Sequence, residues 1–344
     1  MAQVSINMSA ASFLVNPSAS SVSFLLPIQE DLTAVEARMQ DELSSEVQVI
    51  SELAAHLLKA GGKRLRPAMV ALSARAISLE LTSERIATVG AAVEFVHMAT
   101  LVHDDVVDNT AIRRGRPTAN AVYGNGAAVL SGDSILARSM RLLAIDGDLR
   151  IIRTVSEITI EMSEGEVMEI TATGCSDLPV AQYYDILRKK TAVFVEGCCR
   201  CGAILAGANS LQEEALAVFG FRIGMAFQIV DDLLDYTGDP ALTGKPRGSD
   251  LRDGRATLPW LITLEEASSE EREALLSVFG RGDAGEEKLS QVYAILENHD
   301  AFSRSRAVAE GHIECARHSL SSLSPSPAVD CLCALSDYIV QRDR

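Results

Sequence analysis

Positive charge is scarce in this 344-residue chain: 31 Lys and Arg stand against 47 Asp and Glu, a net charge of −16. That balance excludes a general nucleic-acid binder, which needs a basic face to neutralise phosphates. Small anions are not excluded, because a local cationic cluster binds phosphate on an acidic protein. Aromatic residues are also scarce at 5%, while hydrophobic residues reach 47%. The apolar mass is therefore aliphatic, which suits a large helical core. No stretch reaches the roughly 18 consecutive apolar residues of a membrane span. There is no run of strand-like alternation and no Gly-rich dinucleotide turn after a strand. The seven cysteines are odd in number, and Cys198-Cys199-Arg200-Cys201 is not a zinc spacing. The odd count in so long a chain argues against a secreted disulfide framework, and the thiols read as small buried hydrophobes in a reducing, cytoplasmic setting. Charge is absent altogether from residues 1–29, which are rich in Ser. That segment lacks the basic start of a secretory signal and the Arg of a transit peptide. Residues 1–30 read as a disordered leader before one domain over 31–344.

What is present is helical periodicity. Thr33 and Glu36 have capping-box spacing, and Val35, Met39 and Leu43 follow at helical intervals. An amphipathic stretch over 46–60 breaks at Gly61-Gly62. Helices are predicted over 67–80 and 84–108; the second is apolar nearly all round and should be central. Further helices are predicted over 127–145, 149–170, 180–207, 211–236, 256–278, 286–297, 301–322 and 328–341. Gly, Pro, Asp or Ser separate them. The fold class is all-α, a single-domain bundle of long helices.

Two acidic motifs end two of these helices, His103-Asp104-Asp105-Val106-Val107-Asp108 and Val230-Asp231-Asp232-Leu233-Leu234-Asp235. On a helix, residues i and i+4 share a face about 6 Å apart along the axis. Asp104 with Asp108, and Asp231 with Asp235, therefore form two pincers of hard oxygen ligands. Mg²⁺ takes such ligands, one or two carboxylates at a time, with waters and substrate phosphates completing the shell. Cations accompany them. Lys63, Arg64 and Arg66 precede a helix that opens near Pro67, where free N–H groups attract anions. Arg113, Arg114 and Arg116 follow the first motif; Lys189-Lys190-Thr191 and Thr243-Gly244-Lys245 place a cation beside a hydroxyl. Arg grips phosphate through two parallel hydrogen bonds. Paired carboxylates with several phosphate-binding cations point to diphosphate substrates, two of them.

The ordered set Gly61–Pro67, His97, Asp104–Asp108, Arg113-Arg114-Gly115, Gly165-Glu166-Val167, Lys190-Thr191, Phe227-Gln228 through Asp235, Gly244-Lys245-Pro246 and Asp250–Pro259 resembles the trans-isoprenyl diphosphate synthase family. The resemblance spans 31–344. It implies helices around a deep central cavity, usually in a dimer, here expected of like subunits. It implies a magnesium-dependent prenyltransferase that condenses isopentenyl diphosphate onto an allylic diphosphate such as farnesyl diphosphate. Carried over residue by residue, Lys63, Arg66, His97 and Arg114 match positions that hold isopentenyl diphosphate. Asp104, Asp108, Asp231 and Asp235 match magnesium positions. Arg113, Lys190 and Lys245 match groups on the allylic diphosphate, and Thr191 and Gln228 match positions lining the reacting centre. Asp104, Asp108, Lys190, Thr191, Gln228 and Asp231 are thus the expected catalytic set. Three departures stand out: Glu169 where relatives often carry Gln, Asp253 where Glu is common, and Arg255 where Lys is usual.

Thr100, Ala99 and Val96 lie four, five and eight residues before Asp104, one to two turns below it. In the family a bulky aromatic there ends chain growth early. Small Ala99, with no insertion in the first motif, looks like the long-chain branch, making a product of roughly seven to ten isoprene units. Each step would bury five carbons at about 0.8 kcal/mol apiece. A shorter-product geranylgeranyl diphosphate synthase is the competing reading. A terpene cyclase has no second substrate for Lys63, Arg66 and Arg114 to hold, and a non-catalytic partner subunit should have lost carboxylates. Peripheral contact with a membrane would serve release of a long product.

Overall fold

The computed structural model describes residues 23–44, 46–59, 64–113, 115–238 and 247–341. A 3₁₀ turn, Ser23–Ile28, leads into α1 (Gln29–Glu42), followed by α2 (Gln48–Lys59), α3 (Leu65–Ile77) and α4 (Ser83–Val107). Then come α5 (Ala119–Tyr123), α6 (Asn125–Asp146), α7 (Leu149–Ala172), α8 (Val180–Leu187), a π-helical turn Arg188–Ala192, α9 (Val193–Leu205) and α10 (Ser210–Thr237). The remainder is α11 (Ser249–Asp253), α12 (Leu258–Glu266), α13 (Ser269–Leu276), α14 (Glu286–Asn298), α15 (Ala301–Ser319) and α16 (Pro327–Gln341). Among the described residues the β-structure is one antiparallel pair, β1 (Ile112–Arg113) with β2 (Arg116–Pro117). It follows the first acidic motif and turns the chain back.

The core helix is α4, as its unbroken apolar character predicts: Ile86, Val89, Val93, Phe95, Val96 and Val102 are fully buried. It packs on α1, α3, α6 and α9. Among the described residues it is the helix whose length and hydropathy would allow a membrane crossing, but most of it is covered by the rest of the protein. The other acidic helix, α10, packs on α9 and α15. Its start is fixed by a full capping box, with Asn209 accepting from Gln212 N and the Gln212 side chain accepting from Asn209 N.

The helix pattern differs from expectation in four places. Helix α1 starts at Gln29, so Thr33 lies inside it and donates to Gln29 O at 2.8 Å rather than capping. Glu36, the supposed capping partner, binds Arg64. The described chain takes in residues before 31, and Ile28 is fully buried in the core; residues 1–22 lie outside the described residues. The stretch 256–278 is two helices, because Ser268 and Glu271 form a new capping box after Ala267 leaves helical geometry. The stretch 180–207 is interrupted by the π turn that carries Lys190 and Thr191.

Two glycines show how that turn is placed. A Cβ on Gly165 of α7 would lie 2.8 Å from Lys190 N, and one on Gly224 of α10 would lie 2.6 Å from Ala192 Cα. Real side chains do not tolerate such contacts, so both helices close on the π turn only because these positions lack a Cβ.

Candidate active site

The C-terminal ends of α4 and α10 open onto one cavity of about 720 Å³. Asp104 and Asp108 line it from α4, and Asp231 and Asp235 from α10. Arg113, Lys190, Gln228 and Arg255 line it as well, so the carboxylate pincers and most described members of the expected allylic set share one space.

Each pincer is braced by neighbouring side chains. Asp105 is buried and accepts from Arg113 Nε at 2.8 Å. Its main-chain oxygen takes Asn120 Nδ2 at 3.0 Å and Thr110 N at 2.9 Å, which fixes the end of α4. Asp232 is also buried and accepts from Tyr183 Oη at 2.7 Å and Gln228 Nε2 at 3.0 Å. Thr191 donates to Gln228 Oε1 at 2.9 Å. Thr191, Gln228, Asp232 and Tyr183 thus form one chain of hydrogen bonds from the π turn to α10. Asp235 is held by Ser249 Oγ and, at 3.1 Å, by Asp250 N.

The cations are counterbalanced. Lys190 bridges Glu166, at 3.1 Å, and Glu169. Burial disfavours its ammonium, but the Glu169 and Glu166 carboxylates outweigh that and hold its pKa above the ordinary lysine value. Arg255 lies 3.6 Å from Asp108 of the first motif and 3.8 Å from Asp250. Burial opposes its charge, and Glu169, Asp250 and Asp108 more than compensate. Of the three departures, Glu169 and Arg255 line the cavity, and Asp253 is exposed. Burial pushes the Asp104 carboxyl up to about 7, helped by Glu166 and opposed by Lys190 and Arg113. Burial raises Asp232 too, against the hydrogen bonds from Gln228 and Tyr183.

These residues fit a divalent cation. The four pincer aspartates are all hard oxygen donors that line one cavity. Among the described residues no three His, Cys, Asp or Glu side chains converge tightly enough to hold an ion alone.

The other expected residues fall elsewhere. Arg66 lies over the Phe194 ring, 5.9 Å from its centroid, and the His97 ring is 6.2 Å from Phe194. This second cluster is not part of the cavity wall. Lys63, Arg114 and Lys245 lie outside the described residues. Arg64, grouped by sequence with the phosphate-binding cations, is occupied by Glu36 at 2.5 Å and Glu94 at 2.9 Å. Val96 and Ala99 are buried in the α4 core, Thr100 bonds back to His97 O at 2.9 Å, and none of the three lines the large cavity. Sequence reading missed Tyr183, Glu94 and the bracing role of Ser249. The only available signal was polarity inside an apolar run, which Glu94 shows.

Comparison with solved structures places the fold in the all-α isoprenoid synthase class. A polyprenyl synthase from Caulobacter crescentus CB15, complexed with calcium and isoprenyl diphosphate, superposes with a TM-score of 0.88 at 32% identity, covering 96% of this chain and all of that one. The polyprenyl synthetase family profile matches residues 47–296, and the chain belongs to that family. It is 38% identical to heptaprenyl diphosphate synthase component 2 of Geobacillus stearothermophilus and 36% identical to octaprenyl diphosphate synthase of Escherichia coli. Both alignments cover 92% of this chain and 97% of the relative.

Proposed function

We propose that the chain is a magnesium-dependent prenyltransferase that adds isopentenyl diphosphate units to an allylic diphosphate and makes a long-chain all-trans polyprenyl diphosphate. The observation that carries this reading is the pair of aspartate pincers facing one cavity alongside Lys190, Arg113 and Arg255. Its relatives of similar length are named for octaprenyl and heptaprenyl products, which supports the long-chain part.

Asp104, Asp108, Asp231 and Asp235 would hold the metal, and magnesium bound there supplies Lewis-acid neutralisation of the allylic diphosphate. Lys190, Arg113 and Arg255 present fixed positive charge to the same group as it departs. Fixed charge of this kind needs no reorganisation during the reaction. Gln228, fixed by its hydrogen bonds with Thr191 and Asp232, would stand beside the reacting centre. The C–O bond breaks, the double bond of isopentenyl diphosphate attacks the allylic carbon, and a proton passes to the departing diphosphate. Lys63, Arg66, His97 and Arg114 hold the second diphosphate, and positioning the two reactants accounts for much of the rate.

A single catalytic domain spans 31–344 and takes in the turn before it. Exposed Val122, Leu130 and Ile145 on α5 and α6 support a homodimer that buries this face. Buried free thiols at Cys198, Cys199 and Cys201 fit a cytoplasmic location, with peripheral membrane contact for product release. The test is incubation of the purified chain with labelled isopentenyl diphosphate, Mg²⁺ and several allylic primers, followed by sizing of products. Products of about seven to ten units are expected, since each further unit gains apolar burial. Unextended primer would overturn the reading. Small Ala99 supports the length assignment: Ala99→Phe should shorten the product, and an unchanged ladder would place the floor elsewhere.

A further inference from the structure

Glu94 is an anomaly in the core helix. It is 3% exposed and sits in an α4 segment with Val89, Val93, Phe95 and Val96, all fully buried. Burying a carboxylate there is costly. One of its oxygens accepts from Arg64 Nη1 at 2.9 Å; the other, Oε2, is buried and has no hydrogen-bond partner among the described residues. Arg64 also donates Nε to Glu36 on α1 at 2.5 Å. Its backbone is left-handed, with φ 49°, immediately before α3. Non-glycine residues rarely adopt that conformation unless their surroundings impose it.

Stability alone does not explain the arrangement, because apolar residues of similar volume often serve a core as well as a buried ion pair does. The guanidinium does something an apolar side chain cannot. It ties the segment entering α3 to two other helices at once, in a fixed fork geometry. Two residues further on, Arg66 lies over Phe194, and Phe194 neighbours His97. His97 follows Glu94 by three residues, so both share one face of α4. The ion pair therefore stands at the root of the Arg66–His97 cluster and sets where that cluster sits.

We propose that Glu94 and Arg64 are positioning residues for the isopentenyl diphosphate site, holding Arg66 in register with His97. This rests on the reading of Lys63, Arg66, His97 and Arg114 as that site. Neither residue touches substrate; both act through Arg66 and its neighbours.

The test compares Glu94→Gln, Arg64→Lys and Glu36→Gln with Arg66→Ala in the full-length enzyme, measuring KM for each substrate and kcat separately. Glu94→Gln and Arg64→Lys should raise the isopentenyl diphosphate KM about tenfold, with the allylic KM and kcat within about twofold, the pattern of lost ground-state binding. Glu36→Gln removes only the outer, partly exposed half of the clamp and keeps the test alive if Glu94→Gln fails to fold; it should raise the same KM about threefold. If Arg66→Ala raises that KM while the clamp variants leave it unchanged, the inference falls and the site reading stands. An unchanged KM in Arg66→Ala removes the site reading and the inference with it. A parallel loss of kcat, both KM values and melting temperature would make the pair merely structural and overturn the proposal.

Discussion

The two aspartate motifs share a spacing but are braced by different physics. In the first, the buried second aspartate, Asp105, faces a cation, Arg113. In the second, buried Asp232 receives only neutral donors, Tyr183 and Gln228. The fifth positions differ as well. Asp108 is partly exposed and faces Arg255 at 3.6 Å, whereas Asp235 is gripped by the Ser249 hydroxyl and the Asp250 amide. The first pincer thus sits among long charged side chains, and Asp235 of the second is held by short polar groups of the following helix. A charged brace sets a cation against its carboxylate; a neutral brace fixes position while burial pushes the carboxyl up, as it does for Asp232.

The largest effect expected from breaking this comparison is at Lys190, a cation of the cavity wall that acts on Asp104. Lys190→Ala removes fixed charge from the cavity and leaves Glu166 and Glu169 unbalanced beside Asp104. Steady-state assays should show kcat lower by about 10²–10³-fold, the usual cost of deleting a preorganised electrostatic donor. A loss below tenfold would mean that Lys190 is a surface counter-ion only. A smaller effect separates the two braces. Asp105→Asn strands the Arg113 charge and should cost about 1–3 kcal/mol in denaturant titrations. Asp232→Asn keeps a partner for Tyr183 or Gln228 and should cost about 1 kcal/mol or less. Equal costs would erase the distinction drawn between charged and neutral bracing.

The smallest effect is on metal-free stability. With the Asp104 carboxyl pushed up to about 7, the folded chain binds a proton that the unfolded chain has released between about pH 4 and pH 7. Stability from this group is therefore highest at the acidic side of the window and falls as pH rises through 7. Scanning calorimetry of the metal-free protein should give a melting temperature a few degrees lower at pH 8 than at pH 6, and Asp104→Asn should reduce the difference. A melting temperature that climbs with pH over this range, equally in both proteins, would show that Asp104 is not the raised group.

Much of this was legible without coordinates, for identifiable reasons. Helix periodicity is a local signal, so α4 and α10 were readable, and each pincer follows from i,i+4 geometry within one helix. That the pincers face one cavity was inferred only from their chemistry. The bond from Tyr183 to Asp232 was not legible, because it reaches across 49 positions, and neither was the pair in which Arg64 reaches Glu94 across 30. The π turn was hidden because Arg188–Ala192 has helical composition, and only the close approach of Gly165 and Gly224 gives it room. The start of α1 was misplaced because Thr33 and Glu36 mimic a cap, while the true start at Gln29 has no side-chain cap at all.

The measurement that bears most directly on the central claim is incorporation of labelled isopentenyl diphosphate by the wild-type chain beside Asp104→Ala and Asp231→Ala, with circular dichroism to show that each remains helical. The two pincers serving one diphosphate predict elongation by the wild type and a loss of about 10²-fold or more in either variant. Near-normal elongation in one folded variant would contradict that shared role.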